Sequence, residues 1–147
     1  MINLILFILA FLVMEKVAWL THKHVMHGFL WRIHRDHHIP GKAKTGFFEK
    51  NDLFFLIFAT PAIILIITGL MTGYSWMLAT GAGITLYGFT YFTIHDVIIH
   101  HRIPFNLNIR NRYMLALIKA HHGHHNSKTP KDFLSFGLLY FPRSYFN

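Results

Sequence analysis

Ten of the thirteen histidines in this 147-residue chain fall into four clusters: His22-x4-His27, His34-x2-His37-His38, His95-x4-His100 and His121-x2-His124-His125. On a helix, the H-x2-H-H spacing places three imidazoles at i, i+3 and i+4, all on one face. The H-x4-H pairs subtend about 140° on a straight α-helix, so each pair either bridges two metal ions or sits where its helix ends. Ten nitrogens suit two ions of about five ligands each and exceed the four that a closed structural zinc site needs. Imidazole-rich donor sets favour zinc, copper or iron. The chain has no cysteine, which excludes thiolate-held metals and leaves histidine nitrogen and carboxylate oxygen as donors. Electrons for redox chemistry must then come from another protein. Asp96, next to His95, and Asp36, inside the second cluster, are candidate catalytic carboxylates that would act by fixing an imidazole tautomer through its outer N–H. His24, His101 and His122 lie beside the clusters but outside their spacing and read as surface or hydrogen-bonding residues, although His122 also stands one turn from His125.

The elements that must carry these side chains follow from the apolar runs between them. Residues 53–94 contain forty-two positions with no charge and no histidine. That is long enough for an out-and-back pair of membrane helices, so the clusters before and after it emerge on one side of the bilayer. With 53% hydrophobic and 16% aromatic residues, the expected class is an all-α integral membrane protein. It forms one domain over residues 1–147, with three to four membrane-embedded helices.

The first span covers residues 2–20, with Glu15 and Lys16 near its cytoplasmic end. It has neither a basic leader nor an A-x-A site, so it reads as a retained helix rather than a signal peptide. A polar, basic stretch over 22–50 ends at Pro40-Gly41, and Asn51-Asp52 is expected to cap the next helix. The second span, 53–70, is expected to kink at Pro61. Residues 71–75 form the outer turn, with Tyr74 and Trp76 as interfacial anchors, and the third span, 76–94, delivers His95. A further helix is expected over 113–125. The apolar segment 133–141 is too short to span and reads as an interfacial or re-entrant piece covering the site.

The net charge is +8, and all fourteen basic residues lie between Lys16 and Arg143, with none in 1–15 or 51–101. This distribution orients the histidine-bearing segments to the cytoplasm. It reads as orientation and attraction to anionic lipid rather than nucleic-acid binding. Tyr87, Tyr91 and His95 recur at i, i+4 and i+8, so one face of the third span carries two aromatic rings toward a candidate ligand. Those tyrosines are candidate substrate-binding residues.

With its motifs placed, the chain resembles the bacterial β-carotene 3-hydroxylases, members of the fatty-acid hydroxylase superfamily of membrane di-iron enzymes. The resemblance rests on HKHVMHGFLWRIHRDHH at 22–38, NDL at 51–53, YGFTYFTIHDVIIHHRIPF at 87–105, HHGHH at 121–125 and SFGLLYFP at 135–142. It implies metal ligands at His22, His27, His34, His37, His38, His95, His100, His121, His124 and His125. It also implies two iron ions (zinc being possible as purified), O2, and electrons from reduced ferredoxin. The implied substrate is a carotenoid, β-carotene, hydroxylated at C3 of each ring to β-cryptoxanthin and then zeaxanthin. The implied location is the bacterial inner membrane. The resemblance to the superfamily also admits a ketolase-like reaction at C4 or a sterol or fatty-acyl hydroxylase, and the histidine-rich face by itself would suit a metal-handling membrane protein. A basic surface including Arg110, Arg112, Lys119, Lys128 and Lys131 is a candidate docking face for an acidic electron donor.

Overall fold

A computed structural model describes residues 1–39, 48–104, 107–127 and 135–147. The expected junction at Pro40-Gly41, and Lys128, Lys131 and Phe133 at the other end, lie outside the described residues. Helix α1 (Ile2–Thr21) runs on into a π-helical segment, π1 (His22–Phe29). At Gly28 (φ −104°, ψ −124°) the chain leaves the helical path and enters the short α2 (Trp31–His34), which tightens to a 3₁₀ turn over Arg35–His38. Helix α3 (Asp52–Thr72) and helix α4 (Ser75–Tyr91) form the hairpin. α4 in turn runs into a second π-helical segment, π2 (Phe92–Ile99). Helix α5 (Arg112–His125) carries the last cluster, and a 3₁₀ turn over Arg143–Phe146 closes the chain. No strand occurs among the described residues.

The hairpin turns where Gly73 adopts φ 76°, a left-handed conformation that closes the last turn of α3 and suits glycine. Pro61 lies inside α3 without ending it. α4 packs between α1 and α3 through small residues. A Cβ at Gly83 would collide with the Phe7 carbonyl of α1, and one at Gly81 would lie 2.8 Å from Ile66 Cγ1 of α3. Such close approach through glycine is typical of helices packed within a bilayer.

The outward faces are apolar rather than polar. Ile5, Leu9, Leu12 and Val13 of α1 and Leu56, Ile63, Ile64 and Ile67 of α3 are all about half exposed. α1 with π1 and α3 are each long and apolar enough to cross a membrane, and only 11% and 17% of their most apolar stretches are buried. Helices that are apolar all round yet unburied need a hydrocarbon solvent. Along α3, α4 and π2, Thr60, Thr72, Thr80, Thr85, Thr90 and Thr93 each donate to the carbonyl four residues back, which satisfies their hydroxyl hydrogens locally.

Asn51 does not cap α3 with its side chain, contrary to the sequence expectation. Its carboxamide oxygen accepts from His34 Nδ1 instead, at 2.7 Å. Asp52 accepts from the Glu49 backbone N–H and pairs with Arg102. The N-terminus of α3 therefore serves the histidines more than itself.

Candidate metal centre

The ten clustered histidines converge as two groups of five. His22, His27, His34, His38 and His124 form one group, and His37, His95, His100, His121 and His125 form the other; the ligand atoms within each group lie within 4.8 Å of one another. His38 of the first group stacks on His125 of the second, with ring centroids 4.2 Å apart. His24, His101 and His122 are exposed and belong to neither group.

Backbone conformation explains the partition. His22 and His27 lie in π1, and His95 lies in π2 with His100 as the residue that ends it; π-helical hydrogen bonds run from i to i+5, as in His100 N–H to the His95 carbonyl at 3.0 Å. Residues five apart then stack on one another instead of diverging. The His22 and His27 rings come to 4.9 Å and the His95 and His100 rings to 4.6 Å. Neither pair bridges the two groups. The H-x2-H-H triplets do: His34 and His38 enter one group while His37 enters the other, and His121 and His125 part from His124 in the same way.

The outer nitrogens decide what the inner ones can do. His22 Nδ1–H donates to the Phe136 carbonyl at 2.9 Å, His34 Nδ1–H to Asn51, His37 Nδ1–H to the Glu49 carboxylate at 3.0 Å and His95 Nδ1–H to Asp96 at 3.1 Å. Each oxygen only accepts, so each Nδ1 carries the proton and each Nε2 is a bare lone pair. Yet His22 Nε2 faces His34 Nε2 at 3.1 Å, and His37 Nε2 faces His95 Nε2 at 3.0 Å. Two lone pairs at that distance repel unless a cation lies between them. An extra proton is a poor candidate, because burial and the neighbouring imidazoles hold the His37 pKa well below its ordinary value, and burial pushes that of His34 down to about 3.

A metal ion fits the donor set. Nitrogens about 2.1 Å from an ion and at right angles to one another lie about 3.0 Å apart, against about 3.4 Å in a tetrahedron. The shortest Nε2–Nε2 contacts within the groups run from 2.9 to 3.1 Å, close enough for the paired nitrogens to share one ion. His125 Nε2 is buried without a hydrogen-bond partner among the described residues, as expected of a nitrogen reserved for a ligand bond.

Over residues 7–142 the chain matches the family model described as fatty acid hydroxylase. This chain belongs to the fatty acid hydroxylase family. Fatty acid hydroxylases are membrane-associated non-haem iron oxygenases, so the chain is an oxidoreductase and its histidine groups are compatible with a di-iron site. It is 42% identical over 141 residues to a beta-carotene hydroxylase of Pseudescherichia vulneris, a match covering 95% of this chain and 77% of that protein. A beta-carotene hydroxylase of Pantoea ananas is 43% identical over 129 residues, covering 88% of this chain and 71% of that one. A chloroplastic beta-carotene 3-hydroxylase of Haematococcus lacustris is 37% identical over 125 residues, or 78% of this chain and 36% of that one. No solved structure matches the chain.

The two candidate carboxylates part company. Asp96 is buried and binds both His95 and Arg102, whose guanidinium also grips Asp52 at 2.7 Å and so ties π2 to the start of α3. Asp36 faces Lys50 at 4.0 Å.

Glu49, Asn51, Arg102 and the Phe136 carbonyl were not anticipated as partners of the site. Asn51 lay inside the NDL motif that supported the resemblance, but spacing cannot say which ring nitrogen an amide will meet. Segment 135–142 does cover the site, as irregular chain rather than helix. Glu15 holds it there by accepting from the Leu139 and Tyr140 N–H groups, both at 2.9 Å. Tyr113 OH also donates to the Leu139 carbonyl.

Tyr87 and Tyr91 line a cavity of about 490 Å³ between α1, α3 and α4, together with Phe58, Ala62, Gly88 and Phe92. His22, Asp96 and Arg102 also line it. Tyr91 stands 4.7 Å from the His95 ring, between centroids, whereas the Tyr87 hydroxyl is committed to Glu15 at 2.8 Å.

Proposed function

We propose that this chain is a β-carotene 3-hydroxylase that converts β-rings at C3, giving β-cryptoxanthin and then zeaxanthin. The observation that carries the reading is the pair of five-histidine groups with bare Nε2 atoms facing one another, beside an apolar cavity lined by His22 of one group and by Tyr91, whose ring stands next to His95 of the other. The relatives named above supply the substrate class. Those histidines would hold two iron ions, which would supply O2 activation; the net reaction puts one oxygen atom into a C–H bond and releases the other as water, consuming two protons and two electrons from a ferredoxin-type donor.

The chain's own residues do the rest. The oxygens of Phe136, Asn51, Glu49 and Asp96 hold the imidazoles in the tautomer that points Nε2 inward. Tyr91 and Phe92 present apolar surface beside them and exclude water. A pocket of this size holds one ring and part of the polyene, and the remaining chain stays in lipid. A metal transporter should place charged or imidazole ligands along a path through the spans, whereas residues 53–94 contain neither charge nor histidine.

Three membrane spans, α1, α3 and α4 with π2, together with histidines on the cytoplasmic side of the bacterial inner membrane, agree with the distribution of basic residues. Pigment analysis of bacteria that accumulate β-carotene and express this chain tests the reaction. Zeaxanthin and β-cryptoxanthin are expected; 4-keto products or unchanged β-carotene refute it.

Two further outcomes follow. Tyr91→Ala retains metal near the parental level but hydroxylates less, or at another position, because it removes cavity wall without touching a ligand; unchanged products and rate count against a substrate role. Arg110, Arg112 and Lys119 are exposed and form a basic face for an acidic donor. Ferredoxin-dependent turnover at low donor concentration therefore falls as salt rises from low to physiological strength. A rate indifferent to salt removes docking by charge.

A further inference from the structure

Glycines in the hairpin are explained by close contact or, at Gly73, by a positive φ, with one exception. A Cβ at Gly69 would lie 2.9 Å from Leu78 Cδ2, and one at Gly81 would lie 2.8 Å from Ile66. Gly88, two turns beyond Gly81 on α4, has no described atom within 4 Å of its would-be Cβ, and its φ is not positive. Neither packing nor backbone conformation asks for glycine there, and glycine is a poorer helix former than alanine. What distinguishes the position is the space beside it. Gly88 lines the cavity, across from Phe55, Phe58 and Ala59 of α3, where the α3–α4 contact that is tight at Gly81 has opened. Phe55 and Phe89, which also line it, are 53% and 67% exposed, so the opening faces the apolar exterior rather than the histidine end.

We infer that Gly88 is a specificity-determining position: its missing side chain leaves room for the bulky, methyl-substituted ring of a cyclic terpenoid to pass laterally between α3 and α4 toward the histidines. The inference rests on the β-ring reading above. A side chain at 88 would point into that passage and narrow it without disturbing a ligand.

The series Gly88→Ala, Gly88→Leu and Gly88→Phe tests it, with three measurements on each variant: metal per chain, zeaxanthin formed in cells that accumulate β-carotene, and binding of β-ionone, an isolated ring, to the purified protein. Metal content is expected to stay at the parental level throughout. Zeaxanthin formation should fall below the parent in Gly88→Ala. It should fall by at least about ten-fold in the leucine and phenylalanine variants, along with β-ionone binding, as a filled pocket discriminates by size. Gly88→Leu at the parental rate overturns the inference. So does loss of metal in Gly88→Leu, because open space at 88 must accept that side chain. Should the parent itself leave β-carotene unchanged, the assigned reaction fails, and the β-ionone titration across the series still reads the passage: equal binding by parent and Gly88→Phe overturns it.

Discussion

His124→Ala lowers hydroxylation by more than about 100-fold, as expected for loss of a ligand where even outer partners are worth 10- to 100-fold. It should also lower the metal content of the purified protein. His124 comes from the box on α5, yet its ring belongs with His22, His27, His34 and His38, and its Nε2 lies 3.0 Å from His27 Nε2. It is 1% exposed, and burial together with His27 and His34 holds its pKa down to about 3. The ring is therefore neutral and available to an ion at physiological pH. His37→Ala should have an effect of similar size through the other group. His122→Ala, two residues before His124 but exposed, should retain activity. Zeaxanthin yield and metal per chain check all three variants, and a His124→Ala protein with parental values of both would refute the two-group assignment.

Glu15→Ala unfolds the cover of the site. Glu15 takes two backbone N–H groups of segment 135–142 on one oxygen and the Tyr87 hydroxyl on the other, and the same segment presents the Phe136 carbonyl to His22. Hydrogen bonds to a charged acceptor contribute about 1.5–3 kcal/mol each, so their joint loss should cost about 3 kcal/mol or more. Glu15→Gln should be much milder. Its amide oxygen can keep both backbone donors while its NH2 donates to Tyr87. Thermal unfolding and hydrogen exchange at Leu139 and Tyr140 separate the two variants in metal-free protein. Faster exchange and a lower Tm in Glu15→Ala, restored in Glu15→Gln, are expected; equal protection in all three proteins would show that Glu15 does not hold the segment. Gly137 adds a steric reason for the glutamate's position, since a Cβ there would come within 2.7 Å of Glu15 Oε1.

Composition and periodicity determined the framework. Forty-two uncharged residues between two histidine-rich stretches can be satisfied only by a helical hairpin that returns both stretches to one side, because apolar length and the need to bond every backbone group leave no other fold in lipid. The ten histidines that gather, and the three that do not, were also legible, because the four boxes flank the hairpin and their spacing sets them apart from His24, His101 and His122. Which group each ring joins was decided by tertiary structure. An H-x4-H pair diverges on an α-helix and converges on a π-helix, and no feature of the pair itself says which the backbone will adopt. The triplets looked like single faces until a 3₁₀ turn over Arg35–His38 and the approach of α5 divided them between two centres. Asp96, next to His95, was readable as a tautomer-fixing carboxylate, but Asn51, Glu49 and the Phe136 carbonyl lie 12 to 114 residues from their histidines. Such pairings arise from chain packing in three dimensions, which local spacing does not encode.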